Sequence, residues 1–491
     1  MHYNFRNHLI LSLLFFSLIS CNSSHQDSEV YYTKQVQLPP ESSLSEKVDI
    51  ASRLVPTPEQ LAWQQLELTA FVHFGINTFT GKEWGEGDEN PEQFVPTDLD
   101  TDQWVRVLKE AGFRMVILTA KHHEGFCLWP TETTDFSVKS SPWREGKGDV
   151  VADLRASCDK YDMRMGIYLS PWDRNSPLYG QGEAYNDLYI AQLTELLTNY
   201  GQIDEVWLDG ANGEGPNGKK QEYDFTRILD TVHRLQPQAV TAIMGDDIRW
   251  VGNEKGLGRQ TEWSATPFAP AAYPENRDQN KRLGISETSE DLGSRELLSQ
   301  AETLYWYPSE VDVSIRPGWF YHESEDSSVK SLAELAHIYF NSVGMNSVLL
   351  LNIPPDRRGK FADPDIARLQ EFGKYIQDLH SSDAVRETDS PVIHKDSTAT
   401  VEVATDLSRP WDVLSLSEDI SKGQRIESFR IDALRDGEWV PLTSGTTIGY
   451  RRMLLLDKPV QVERIRVTVT EYRGTRPHLR EVHTYLRPEI K

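Results

Sequence analysis

Basic residues are scarce in this chain. It holds 51 Lys and Arg against 75 Asp and Glu, for a formal net charge of −24 and a pI near 5.0. A surface that grips phosphates needs the opposite balance, so nucleic acid is not expected as a partner. Cysteine is scarcer still, with three in 491 residues: Cys21, Cys127 and Cys158. That excludes a disulfide framework, although a single Cys127–Cys158 bridge stays open. The sequence also lacks a glycine-rich phosphate cradle, an internal repeat and any Cys/His cluster at metal-ligand spacing. No metal and no cofactor is therefore expected. Its apolar run over residues 9–19 is too short to span a bilayer as a helix. Aromatics are plentiful, with 13 Trp, 19 Tyr and 17 Phe. Most of them must fill cores, and a few are candidates to stack on the C–H faces of sugars.

The N-terminus reads as an address. Arg6 and His8 precede the apolar run, which closes on Leu18-Ile19-Ser20-Cys21. This resembles the lipobox of bacterial lipoproteins. The resemblance implies a signal peptide over residues 1–20, lipidation of Cys21 and export to the periplasm or outer membrane, with membrane attachment through that lipid alone. An ordinary secretory signal with an incidental cysteine is the alternative. Residues 21–55 are polar and read as a tether.

From residue 56 a strand–helix rhythm begins. Apolar runs at 68–75, 113–123, 163–173, 203–210 and 239–247 each end in polar groups, as buried parallel strands do. Helical patterns lie between them at 101–112, 149–162, 185–200 and 223–237, with Gly112 as a stop and Asp149 as an N-cap. Further strands are expected at 303–315 and 346–359, with helices at 329–343 and 363–380. The segment 265–300 has no clear period and reads as loop. An open doubly wound sheet also fits the pattern, but the length favours a (β/α)8-like (TIM) barrel over residues 56–384. After about residue 390, short alternating runs separated by turn clusters predict an all-β sandwich over residues 385–491.

In a barrel, polar residues at the C-terminal strand ends share one mouth. Those ends supply His73, Lys121-His122-His123-Glu124, Tyr168 with Trp172 and Asp173, Trp207 with Asp209, and Asp246-Asp247. Carboxylates, imidazoles and indoles together suit an uncharged, hydroxyl-rich ligand. Each has a plainer reading: Asp209-Gly210 is a common turn, the histidines fit a core, and Glu254 fits a solvated loop.

Five stretches make the pattern specific: "HFGINTFTGKEWG" (73–85), "LTAKHHEGFCLWPTETTDFSV" (118–138), "YLSPWD" (168–173), "EVWLDGANG" (205–213) and "LLLNIPPDRRG" (349–359). In this order they resemble the alpha-L-fucosidases of glycoside hydrolase family 29, over roughly residues 55–380. The resemblance implies a retaining exo-hydrolase for alpha-linked L-fucose on a fucosylated oligosaccharide or glycoconjugate, with Asp209 as nucleophile. The stretch "RWVGNEKGLGRQTEWS" (249–264) is similar to the branch selective for alpha-1,3/1,4 linkages on Lewis-type glycans. It points to Glu254 as acid/base, with Glu262 in reserve. His73, Glu83, Trp84, His122, His123, Tyr168 and Trp207 match positions that hold fucose. "SIRPGWFYH" (314–322) looks like the closing loop, with Trp319 as a platform; Arg316 and Trp306 receive no firm role. A broad-specificity alpha-L-fucosidase, a non-catalytic glycan-binding lipoprotein and a metal-dependent barrel hydrolase are the competing readings.

Overall fold

Strands buried on both faces have no polar face to alternate with, and the first five runs behave that way. The computed structural model describes residues 30–490, apart from residue 396. In it β1 (Leu68–Val72), β2 (Met115–Lys121), β3 (Arg164–Leu169), β4 (Glu205–Leu208) and β5 (Val240–Ile243) pair in parallel in chain order. Between them run α1 (Thr101–Glu110), α2 (Val150–Tyr161), α3 (Glu183–Asn199) and α4 (Phe225–Leu235). The carboxylates of Asp100, Asp149 and Asp224 accept backbone N–H groups at the starts of α1, α2 and α4, where four N–H groups would otherwise go unpaired. Asp149 is thus the N-cap its position suggested. Gly112 follows α1 at φ 93°, a backbone angle that suits glycine.

The ring is completed by β6 (Arg249–Trp250), β7 (Ser309–Ser314) and β8 (Val348–Asn352), with β8 pairing back to β1. Closure between β5 and β6 rests on a parallel bridge from Ala242 to Ile248, where the Ile243 N–H donates to the Ile248 carbonyl at 3.0 Å. No helix separates these two strands. The chain turns back at once, and Ile243 takes φ 67°, a strained angle for a β-branched residue. Asp247 secures the turn by accepting both the backbone N–H and the hydroxyl of Thr241 at 2.9 Å. The expected barrel is therefore present, with its helical ring interrupted once and a long excursion, 251–308, between β6 and β7.

Three readings need correction. The run 303–315 is two strands: Ser309–Ser314 enters the barrel, whereas Thr303–Trp306 pairs antiparallel with Gln35–Gln37 and Ala265–Thr266. Residues 32–55, expected within a tether, are built into the body. They include a helix, Leu44–Ser52, and bury Leu38, Val48, Ala51 and Leu54 against Leu304 and Trp306. The loop-like segment 265–300 contains helices Pro274–Leu283 and Arg295–Gln300. Cys127 and Cys158 are free and buried, so no bridge forms between them. Cys21 and the apolar run before it lie outside the described residues. Among the described residues no helix is long and apolar enough to cross a membrane.

α5 (Leu332–Ser342) precedes β8, and α6 (Asp363–Ser381) leads into two antiparallel sheets of a sandwich. Alternate residues of Ala399–Thr405 are buried, and Val401, Val403, Leu414, Ile431 and Val467 fill the core between the sheets. The sandwich reaches the excursion after β6. Gln424 accepts the Ser264 N–H at 2.7 Å and donates to the Glu262 carbonyl at 2.8 Å, while the Thr447 hydroxyl accepts the Glu262 N–H at 2.9 Å.

Candidate active site

Alternation along β4 sends Glu205, Trp207 and Asp209 to one face, the barrel interior, at successively higher levels. Asp209 sits at the mouth. Its Oδ2 accepts the Tyr168 hydroxyl at 3.1 Å and its Oδ1 accepts the Ala211 N–H at 2.7 Å. Burial and the Asp209 charge push the Tyr168 phenol well above its usual pKa, so it remains a donor. Below Asp209, the Trp207 indole N–H donates to Glu310 Oε1 at 2.7 Å, which directs its polar edge away from the cavity.

Three imidazoles lie beside this carboxylate, and burial keeps all three neutral. His122 and His123 are pushed down to about 3, and His73 is also lowered well below its ordinary value. The tautomers of His73 and His123 follow from their partners. The Asn352 amide donates to Ser314 Oγ and the Trp319 carbonyl, so its oxygen accepts both the backbone N–H and the Nδ1–H of His73, the latter at 2.9 Å. His73 Nε2 is then an acceptor. Ser170 donates to the Trp172 carbonyl and so accepts Nδ1–H of His123 at 2.8 Å, leaving His123 Nε2 3.8 Å from Asp209 Oδ2. His122 Nδ1 is buried without a hydrogen-bond partner, 3.5 Å from Glu124. Glu124 is pushed up to about 8 by burial and accepts the Asn77 amide at 2.9 Å. Neutral rings, two of them with fixed acceptor nitrogens, suit sugar hydroxyls and give no cation to an anionic ligand.

Glu254 lies on the excursion after β6 and lines, with Trp207, Asp209, Trp250 and Asp312, a cavity of about 400 Å3. Partial burial and the negative charge of Asp209 raise its pKa, against a lowering contact from the Trp319 indole. Glu262 does not reach this cavity. It is buried between Arg249 and Arg259 and pairs with both guanidinium groups, so its carboxylate is committed to a structural cluster. Of the two acids named for the acid/base role, only Glu254 lines this cavity.

Glu83 and Trp319 meet at the closing loop. Glu83 Oε2 accepts the Trp319 N–H and Oε1 pairs with His322 Nε2, each at 2.7 Å. Glu83 thus holds the loop that carries Trp319, whose ring lies 5.1 Å from His73. Trp84 is 56% exposed at the rim, flanked by the rings of His123 and Trp172. Several strand-end candidates point elsewhere. Lys121 and Asp173 form a buried ion pair at 3.1 Å, and Arg316 is bound by Asp365 and Asp326. Trp306 donates to Gln64 in the outer sheet. Asp246 and Asp247, with His233, bring three ligand-type atoms together, and the Lys34 ammonium pairs with both carboxylates at 3.1 and 2.7 Å. Residues unread in the sequence include Asn352, Ser170, His322, Glu310 and Asp312. Asn352, Ser170 and His322 lie within stretches that carry the family resemblance, and Asn352 is also the amide that ends the apolar run "VLLLN".

A parallel barrel whose mouth gathers two carboxylates, neutral imidazoles and indoles around a sugar-sized cavity defines a glycoside hydrolase. The family model for alpha-L-fucosidase matches residues 62–380. "Alpha-L-fucosidase 1" of Arabidopsis thaliana is 41% identical over 452 residues, 85% of this chain and 85% of the relative. A crystal structure from Bacteroides ovatus superimposes with a TM-score of 0.90 at 56% identity, covering 94% of this chain and 79% of that one. The Ruminococcus gnavus GH29 fucosidase solved in complex with fucose gives 0.75 at 30% identity, over 89% and 95% of the two chains. The chain belongs to the alpha-L-fucosidase family, glycoside hydrolase family 29.

Proposed function

We propose that this enzyme is a retaining exo-alpha-L-fucosidase that works by double displacement, with Asp209 as nucleophile and Glu254 as acid/base. The observation that carries the reading is that both carboxylates line one cavity, floored by Trp207. In the first step a carboxylate oxygen of Asp209 bonds to the anomeric carbon. The glycosidic C–O bond breaks as Glu254 delivers its proton to the leaving oxygen. In the second step Glu254 takes a proton from water, whose oxygen displaces Asp209. The raised pKa of Glu254 suits a group that must begin protonated. His73, His122, His123 and Tyr168 supply hydroxyl partners, with Trp84 and Trp319 as apolar walls, and Glu83 fixes Trp319.

Preference for alpha-1,3/1,4-linked fucose on branched glycans is part of this proposal. Beyond the two carboxylates the cavity runs to Phe268, Ala271 and Glu287 on the excursion 251–308, which gives room for a bulky leaving group. The test is fucose release from a Lewis-type trisaccharide beside an alpha-1,2-linked fucoside. Azide should rescue Asp209→Ala with a beta-fucosyl azide as product. Faster turnover of the alpha-1,2 substrate would overturn the linkage reading, and full activity of Asp209→Ala would overturn the nucleophile. Glycan binding without turnover by the unaltered protein would restore the binding-lipoprotein reading. The N-terminal segment supports export and lipid anchoring through Cys21, and metabolic palmitate labelling that survives Cys21→Ala would refute it.

A further inference from the structure

Barrel interiors are ordinarily packed with layers of branched apolar side chains. Here β4 and β7 place acids there instead: Glu205 beneath Trp207, and Glu310 beneath Asp312 on the same face of its strand. Glu205 and Glu310 are both fully buried. Among the described residues neither is paired with a lysine or arginine, so two bare carboxylates at this depth would be costly to hold.

Their hydrogen bonds resolve the difficulty. The Trp63 indole N–H donates to Glu205 Oε2 at 2.8 Å, and the Trp207 indole N–H donates to Glu310 Oε1 at 2.7 Å. The remaining oxygens, Glu205 Oε1 and Glu310 Oε2, have no N–H or hydroxyl donor although both are buried. The two carboxyls are direct neighbours, and a proton held between the two orphaned oxygens would satisfy both. That would make a chain: Trp63 to Glu205, Glu205 to Glu310 through the proton, and Glu310 to Trp207. Gly166 on β3 lies close against this strand: a Cβ there would lie 2.9 Å from Ile117 Cγ1, 3.0 Å from the Glu205 carbonyl and 3.3 Å from its Cβ.

We propose that Glu205 and Glu310 share a proton and act as positioning residues for Trp207, fixing the indole in the floor of the sugar cavity beside Asp209. The inference rests on the reading of that cavity as the fucose site. Titratable groups near the pair are all acidic: Asp204 next to Glu205, and Asp312 above Glu310, whose other neighbour is Glu254. None of them supplies a cation, and burial favours keeping a proton on the pair.

Three variants test this. Glu310→Gln keeps an oxygen for the Trp207 N–H and an N–H for Glu205, so its kcat/KM should stay within about threefold of the unaltered enzyme. Glu310→Leu removes the acceptor from a buried indole and should lower kcat/KM about ten- to a hundredfold, with rescue by glutamine as the signature of a positioning role. Infrared difference spectra at neutral pH should show one protonated-carboxyl band fewer in Glu310→Gln. A folded Glu310→Leu enzyme with unaltered kcat/KM would overturn the positioning role. An unchanged carboxyl spectrum in Glu310→Gln would overturn the shared proton, even if Glu310→Leu fails to fold. Asp209→Ala separates the two layers: its activity tests the site, whereas its infrared spectrum should keep the Glu310 band.

Discussion

At the scale of single residues, four carboxyls near the mouth are set apart by what surrounds them. Asp209 accepts two ordered donors, Glu254 is half-shielded with a raised pKa, Glu262 is spent on two arginines, and Glu124 is pushed up to about 8 by burial. Asp209→Ala should cost at least about a thousandfold in kcat. Glu254→Ala should cost about a hundred- to ten-thousandfold on a substrate with a poor leaving group. The enzyme should lose activity as pH rises through the raised pKa of Glu254, and the variant should lack that basic limb in a kcat/KM profile. Glu262→Gln makes a contrasting case. It leaves Arg249 and Arg259 short of a counter-charge, so it should lower stability by about 3–5 kcal/mol in denaturant titration while leaving the basic limb in place. Residue chemistry in the sequence could not by itself separate the two acids after β6. Glu254 and Glu262 lie eight positions apart in one polar stretch, ranked there by family resemblance alone, whereas the fold puts Glu254 on the cavity and wraps two guanidinium groups around Glu262.

Among the elements, legibility followed length and burial. Strands β1 to β5 and helices α1 to α4 could be read because each strand is a continuous apolar run and three of the helices open on an aspartate cap. Strand β6 could not, since its two residues carry no period and its partners are distant in sequence. The folded segment 32–55 was hidden for a related reason: its polar residues alternate with a few apolar ones whose partners, Leu304 and Trp306, lie far along the chain. The sandwich has a definite role at this scale, because Gln424 and Thr447 hold the backbone on either side of Glu262. Gln424→Ala orphans the buried Ser264 N–H and leaves the Glu262 carbonyl with Asn346 alone, which should cost about 1–3 kcal/mol, read as a shift in denaturation midpoint. Deletion of residues 385–491 removes both supports and should yield an insoluble or inactive barrel.

For the whole molecule, charge decides the response to pH. Glu124 at about 8 and Glu418 at about 7 keep protons in the folded chain that an unfolded carboxyl releases near 4.5. The folded state therefore binds more protons between those values. Their contribution is complete below about 4.5 and is lost as pH climbs towards 8. Self-repulsion from a net charge of −24 acts in the same direction. The melting temperature should fall between about pH 5 and pH 8, and Glu124→Gln should flatten that slope. A different consequence follows from the turn at Ile243, where the helical ring is interrupted. Asp209 directly follows a strand locked on both sides, while Glu254 rides on the segment that leaves the ring just after that turn. Inheritance can therefore treat the two halves of the site separately. On the proposed mechanism, insertions and exchanges in 251–308 would reshape what is accepted as a leaving group, generation after generation, without rewriting the strand that carries the proposed nucleophile.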